Sequence, residues 1–199
     1  MDAARFKEQW RSWYTGAPPL AHLMREPHAE RWLRIHSLPE SRRYPDSASD
    51  WDALLARHNT VATELLGDGG PCVLAVARFP SGDTPPPTQL HDVPGAPVLT
   101  ALGPVDDTWP GAEALRQHYE DSAVWLYTTE LRWGAGAYDP LLRAVALDET
   151  GPVLLVSSET GRVYAPYDGG ADLFFLGPEE REAARERHRA WLSSHPRGL

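Results

Sequence analysis

At 199 residues the chain has the length of one domain, long enough to bury about two-thirds of the surface its unfolded form exposes. Hydrophobic residues make up 42% and charged residues 24%, which excludes the composition of a disordered chain. Nineteen basic against 28 acidic side chains give a formal charge of -9, a field that repels nucleic-acid phosphates and anionic lipid and leaves solubility or a basic protein partner as what the acidity serves.

Cys72 is the sole cysteine, so neither an internal disulfide nor a multi-thiolate zinc site can form, and its apolar surroundings make it a small buried hydrophobe. The first residues lack the apolar stretch of a secretion signal, and nowhere do 18 apolar residues run together. The expectation is a cytoplasmic protein that does not span a membrane.

Phe6, Trp10, Trp13 and Tyr14 recur at three-to-four-residue spacing among charged residues, which predicts an amphipathic helix ended by Gly16, Pro18 and Pro19. A short apolar segment follows at residues 20–24. Residues 32–36 alternate, with Trp32 and Arg34 on one side and Leu33 and Ile35 on the other, as a strand requires. Ser47 or Ser49 can cap a helix through Trp51, Leu54, Leu55, His58, Val61 and Leu65, closed by Gly67. The almost wholly apolar run 72–79, bounded by turn residues, predicts a central strand.

From residue 80 to 110 prolines accumulate, three of them consecutive at 85–87, and predict an irregular excursion within the domain relieved by one apolar stretch at 98–102. Residues 112–119 read as a short helix and 123–129 as a strand; Asp139 and Pro140 open a helix through Leu141, Leu142, Val145 and Ala146. Strands are predicted at 153–157, 162–164 and 171–176, the first two joined by a turn at Glu159, Thr160 and Gly161. Gly177 and Pro178 open a last helix with Glu179, Glu180 and Glu182 at its N-terminal end and Arg185, Arg187, His188 and Arg189 toward its C-terminal end. These charges complement the helix dipole, and Trp191 and Leu192 dock it. The resulting expectation is a single α+β domain over residues 1–199, with a mixed or mainly antiparallel sheet, four to five helices and the C-terminal helix packed on the sheet.

Two segments carry more chemistry than a scaffold needs. Residues 36–45, HSLPESRRYP, bring His36, Glu40, Arg42, Arg43 and Tyr44 to the end of a strand, where Arg42 and Arg43 can clamp an anion and His36 or Glu40 can move a proton. Those arginines can equally pair with Asp46, Asp50 or Asp52. Residues 164–172, YAPYDGGAD, place Tyr167, Asp168 and Asp172 around a glycine pair; the calcium-loop spacing is absent, and a turn in which Asp168 bonds local amides is the simpler reading. His58 on the capped helix reads as a ligand-facing group or as a hydrogen-bonded residue at the core edge. No spacing supports a metal site, no cofactor is implied, and the nucleophile-elbow, phosphate-loop and dinucleotide motifs are missing.

The segments 32–65 and 160–196 together resemble a family of conserved, uncharacterised bacterial proteins over about half the chain, a resemblance that implies no activity or cofactor. The small acidic chain ending in strand, DGG turn and helix is also similar to bacterial immunity proteins. The leading expectation is therefore a non-catalytic binding protein, of the immunity type, that neutralises a basic protein partner. The alternatives are an enzyme acting on a small anionic substrate through His36, Glu40, Arg42 and Arg43 with Asp168 or Asp172, and a structural accessory protein.

Overall fold

The computed structural model describes residues 2–80, 90, 93–119 and 123–193; the triple proline at 85–87 and the last residues of the C-terminal segment, 194–196, lie outside them. In chain order the elements are α1 (Ala3–Trp13), α2 (Ala21–Met24), β1 (Trp32–His36), α3 (Ala48–Leu66), β2 (Pro71–Arg78), β3 (Thr100–Pro104) and α4 (Ala112–Tyr119). They continue with β4 (Trp125–Arg132), α5 (Asp139–Ala146), β5 (Val153–Ser157), β6 (Val163–Tyr167), β7 (Gly170–Phe174) and α6 (Pro178–Arg187). The strands form one open sheet in the order β1-β7-β6-β5-β2-β4-β3, and every pairing in it is antiparallel.

The apolar run that predicts β2 is apolar because both faces of this strand are covered. Cys72, Leu74 and Val76 enter one core with α3, α5 and Ala184 of α6, while Val73, Ala75 and Ala77 enter a second core with α1, α2 and α4. The α+β class and the C-terminal helix resting on the sheet are as the sequence indicates, with six α-helices among the described residues instead of four to five.

Local chemistry sets the boundaries. Ser47 is the N-cap of α3, accepting the amide of Asp50 at 3.2 Å, and Gly67 closes that helix at φ 79°. Asp2 caps α1 by accepting the Arg5 amide, and Trp10 stacks on Tyr14 at 4.6 Å inside the second core. Part of the Pro-rich excursion is regular: residues 100–104, overlapping the apolar stretch expected there, form edge strand β3 against β4, bulged between Ala101 and Gly103.

One interruption in the sheet positions the candidate site. The β5–β6 register runs Val156↔Val163 and Leu155↔Tyr164 and stops there. Two residues on, Val153 would face Pro166, which has no N–H to return a ladder bond, so the two strands part. The β6–β7 pairing continues past this point to Tyr167↔Gly170, so the opening lies on the β5 side of β6 alone.

Candidate functional site: a guanidinium pair around Asp172

Along β7, Ala171 and Leu173 point into the core of α3 and α5, which sends Asp172 to the opposite face, where it is completely buried. A buried carboxylate needs partners for both oxygens, and β1 and α2 supply them. Arg34, directly across the β1–β7 ladder, and the Trp32 indole reach Oδ1 at 3.4 and 2.8 Å. Arg25, one residue beyond α2, donates Nε and Nη2 to Oδ2 at 2.8 and 2.6 Å. The alternation of β1 thus has a chemical purpose: its polar face holds the carboxylate of the neighbouring strand.

Two guanidiniums around one carboxylate leave a positive charge over. Aromatic rings share it: the guanidinium carbons of Arg25 and Arg34 lie 5.9 and 5.4 Å from the Trp32 ring centroid and 5.9 and 5.5 Å from that of Tyr167. Burial, reinforced by the charge of Asp172, pushes the Tyr167 phenol up to about 12, so it stays protonated beside the pair.

Arg25 connects this centre to solvent. With His22, Tyr167 and Asp168 it lines a cavity of about 170 Å³ whose apolar wall includes Leu20, Val145 and Leu154 and which occupies the gap where β5 and β6 separate. Its volume is more than ten times the ~10–15 Å³ that holds one water. His22 accepts or donates at 2.9 Å with the Tyr119 hydroxyl; burial, then the neighbouring His118 and Arg25, lower its pKa to about 4, so the ring is neutral at pH 7. Asp148 stands at the same cavity, exposed and at φ 59° just past the end of α5.

The residues singled out from sequence divide among several places. Asp168 and Asp172 line this cavity, and Tyr167 forms its wall. Arg43 and Tyr44 reach it from outside: Arg43 pairs with Asp168 at 2.5 Å and the Tyr44 hydroxyl donates to the same carboxylate at 3.2 Å. Asp168 therefore meets side chains across 124 residues instead of the local amides expected of it. Arg42 forms a two-pronged pair with Asp50, at 2.9 and 2.5 Å, as the surface ion-pair reading anticipates, and this holds the Asp50 carboxyl far below its ordinary range. His36 and Glu40 line a second cavity of about 210 Å³ with Arg57 and Trp191. There Arg57 donates to the His36 carbonyl at 3.0 Å, while burial and then Arg34 and Arg57 lower the His36 pKa.

His58 is a buried link. Its ring nitrogens meet the Ser37 hydroxyl at 2.7 Å and the Tyr164 hydroxyl at 2.6 Å, tying α3 to the end of β1 and to β6. Burial first and Arg57 second bring its pKa to about 4, so one nitrogen donates and the other accepts, and both hydroxyls are satisfied. Cys72 is buried, with its thiol pushed up to about 12 by that burial. Among the described residues, no group of three or more His, Cys, Asp or Glu is arranged to hold a metal ion. No helix among them is long and apolar enough to cross a membrane.

Arg25, Arg34, Trp32 and His22 are absent from the residues picked out by sequence. The signal for them lay in Asp172, a lone charge within an apolar strand, and in Trp32 and Arg34 sharing the polar face of a strand whose other face is Leu33 and Ile35. No curated protein and no solved structure matches the chain. A family model described as a domain of unknown function, DUF3885, matches residues 20–196, a span that contains every residue of the Asp172 centre and all of its cavity lining except Pro19. The chain belongs to the DUF3885 family.

Proposed function

We propose that the protein binds a small molecule through an anionic group held by Arg25 at the mouth of the β5–β6 opening. The observation that carries this reading is the excess positive charge of the Arg25, Asp172, Arg34 cluster, presented by Arg25 to a cavity inside a molecule that is acidic as a whole. Arg34 and the Trp32 indole satisfy Oδ1 of Asp172, which leaves the Nη1 of Arg25 with no partner among the described residues and free to donate to a carboxylate or phosphate. Arg42 is held by Asp50 and Arg43 by Asp168, so the anion clamp suggested by residues 42 and 43 moves to Arg25. Binding without catalysis is the reading preferred, because His22, with a pKa lowered to about 4, is a weak base near pH 7 and already shares a hydrogen bond with the Tyr119 hydroxyl.

Thermal unfolding with a panel of small carboxylates and inorganic phosphate tests this. A member of the panel is expected to raise the unfolding temperature of the wild type and not that of Arg25→Gln, since ligand that binds the native state stabilises it by mass action. Equal shifts in both proteins, or none across the panel, would count against the reading.

A second reading, neutralisation of a basic protein partner, is favoured by the 28 acidic against 19 basic side chains. It calls for a partner whose association weakens steeply with added salt.

A further inference from the structure

Building on the assignment of Arg25 to an anionic group, we infer that the cavity takes a zwitterion, a molecule of the amino-acid class with a carboxylate at one end, an ammonium at the other and an apolar body between them. Three features of the cavity other than Arg25 point to this.

The first is Asp148. It lines the same cavity as Arg25 and has no ion-pair partner among the described residues, in contrast to Asp168, held by Arg43, and Asp172, held by two arginines. Arg43 feels the charge of Asp148 but is bonded to Asp168, so Asp148 keeps its oxygens without a direct ion pair; a site for a simple anion gains nothing from such a carboxylate beside it, whereas a site for an anion joined to a cation does.

The second is the backbone at the strand split. Hydrogen bonds from Ala77 to Pro152 and from Ser157 to Arg162 fix the alternation of β5, so that the amide and carbonyl of Val153 face β6. Residue 166 is the one that would return an N–H to the Val153 carbonyl, and it is a proline. That carbonyl lies among the cavity-lining residues without its ladder partner, an acceptor suited to an ammonium N–H.

The third is the wall. Leu20, Val145, Leu154, Ala165 and Pro166 provide apolar surface between the charged groups, which a hydrated inorganic ion would leave unused and an aliphatic or aromatic side chain would cover. His22, neutral and bonded to Tyr119, adds no charge that would upset this balance.

Isothermal titration calorimetry separates this inference from the reading beneath it. The probes are leucine and phenylalanine, their desamino acids, which keep the carboxylate alone, and the decarboxylated amines, which keep the ammonium alone. The wild type is expected to bind at least one amino acid about tenfold or more tightly than either half-molecule, the scale of one charge-assisted hydrogen bond. Asp148→Asn is expected to erase the preference for the amino acid over its desamino acid and to leave the desamino acid's affinity unchanged. Asparagine tolerates the positive φ of residue 148, so this variant keeps the local fold. Desamino acids that bind as well as amino acids, with no effect of Asp148→Asn, would overturn the zwitterion and leave the Arg25 reading standing. Absence of binding by every carboxylate probe would overturn the zwitterion, and absence of binding by inorganic phosphate as well would overturn the Arg25 reading with it.

Discussion

Asp172 lies in an apolar strand with no exposed surface, and its ionised form is tolerated only because two arginines and an indole close around it. Such a cluster is weak evidence of net stabilisation, yet removing one member strands the others. Asp172→Ala is expected to lower unfolding stability by about 3–5 kcal/mol, read from the urea midpoint; a change within ~0.5 kcal/mol, the level of an ordinary surface substitution, would show that the guanidiniums find other partners. At this scale the sequence was readable in part. Asp172, Asp168 and Tyr167 stood out because acids flanking a glycine pair are conspicuous, and all three face the cavity. Arg25 was hidden because it follows a four-residue helix with no periodicity to orient it, and its partner is 147 residues away. His58 illustrates the opposite case. Its place on the inner face of α3 was legible, but not the hydroxyls of Ser37 and Tyr164 that satisfy it, because one comes from the residue just past β1 and the other from β6.

Among the elements, turns and strand ends do most to shape the site. Pro166 ends the β5–β6 ladder and creates the opening, while the turn at the other end of the same hairpin fastens α1 to the sheet. Gly161 in that turn has φ 78°, its carbonyl accepts the Tyr14 hydroxyl at 2.7 Å, and a Cβ there would lie 2.5 Å from the Trp13 ring. Gly136 has a similar φ of 80° but open space around it. Gly161→Ala is therefore expected to destabilise by more than the ~1–2 kcal/mol of the left-handed backbone alone, and Gly136→Ala by no more than that. Equal losses at the two positions, measured by thermal unfolding, would show that Trp13 yields without penalty. Most elements were legible because caps, glycines and prolines sit at their ends: Ser47 and Gly67 for α3, Gly177 and Pro178 for α6. Strand β3 was not, since it is a short exposed edge, bulged and ended by proline, and it is held by pairing with β4 instead of by any pattern of its own. Glu180, read from sequence as a complement to the helix dipole, also forms a two-pronged pair with Arg162 at 3.0 and 2.7 Å, a contact only the assembled hairpin provides.

Across the whole molecule, burial does most to lower the pKa of three histidines among the described residues, His22, His28 and His58, to about 4, against an ordinary value near 6.5. Between these values the unfolded chain binds more protons than the folded one, so stability rises with pH. The stability these groups contribute is whole above about pH 6.5 and drains away as the pH falls toward 4, within which the stretch from 6.5 to 5 lies above ordinary carboxylate titration. Urea unfolding across pH 6.5 to 5 is expected to show a falling midpoint, with a shallower fall in His58→Gln; a flat midpoint would contradict the burial of neutral imidazoles. The net charge of -9 describes the surface that a partner meets, whereas the cavity sets one guanidinium, Arg25, drawn out of a buried cluster, among carboxylates. Composition could report the first and was silent on the second, because a site made by one residue from each of several distant segments leaves no local pattern.

The claim that Arg25 presents an anion-binding charge is tested most directly by calorimetric titration of small carboxylates and phosphate into the wild type, Arg25→Gln and Arg187→Gln. Arg187, at the end of α6, pairs with Glu64 of α3, a helix packed on the face of the sheet opposite Asp172, and serves as the control. The expected result is binding to the wild type and to Arg187→Gln with equal affinity, and a loss of about tenfold or more in Arg25→Gln. Equal binding by all three proteins would contradict the claim.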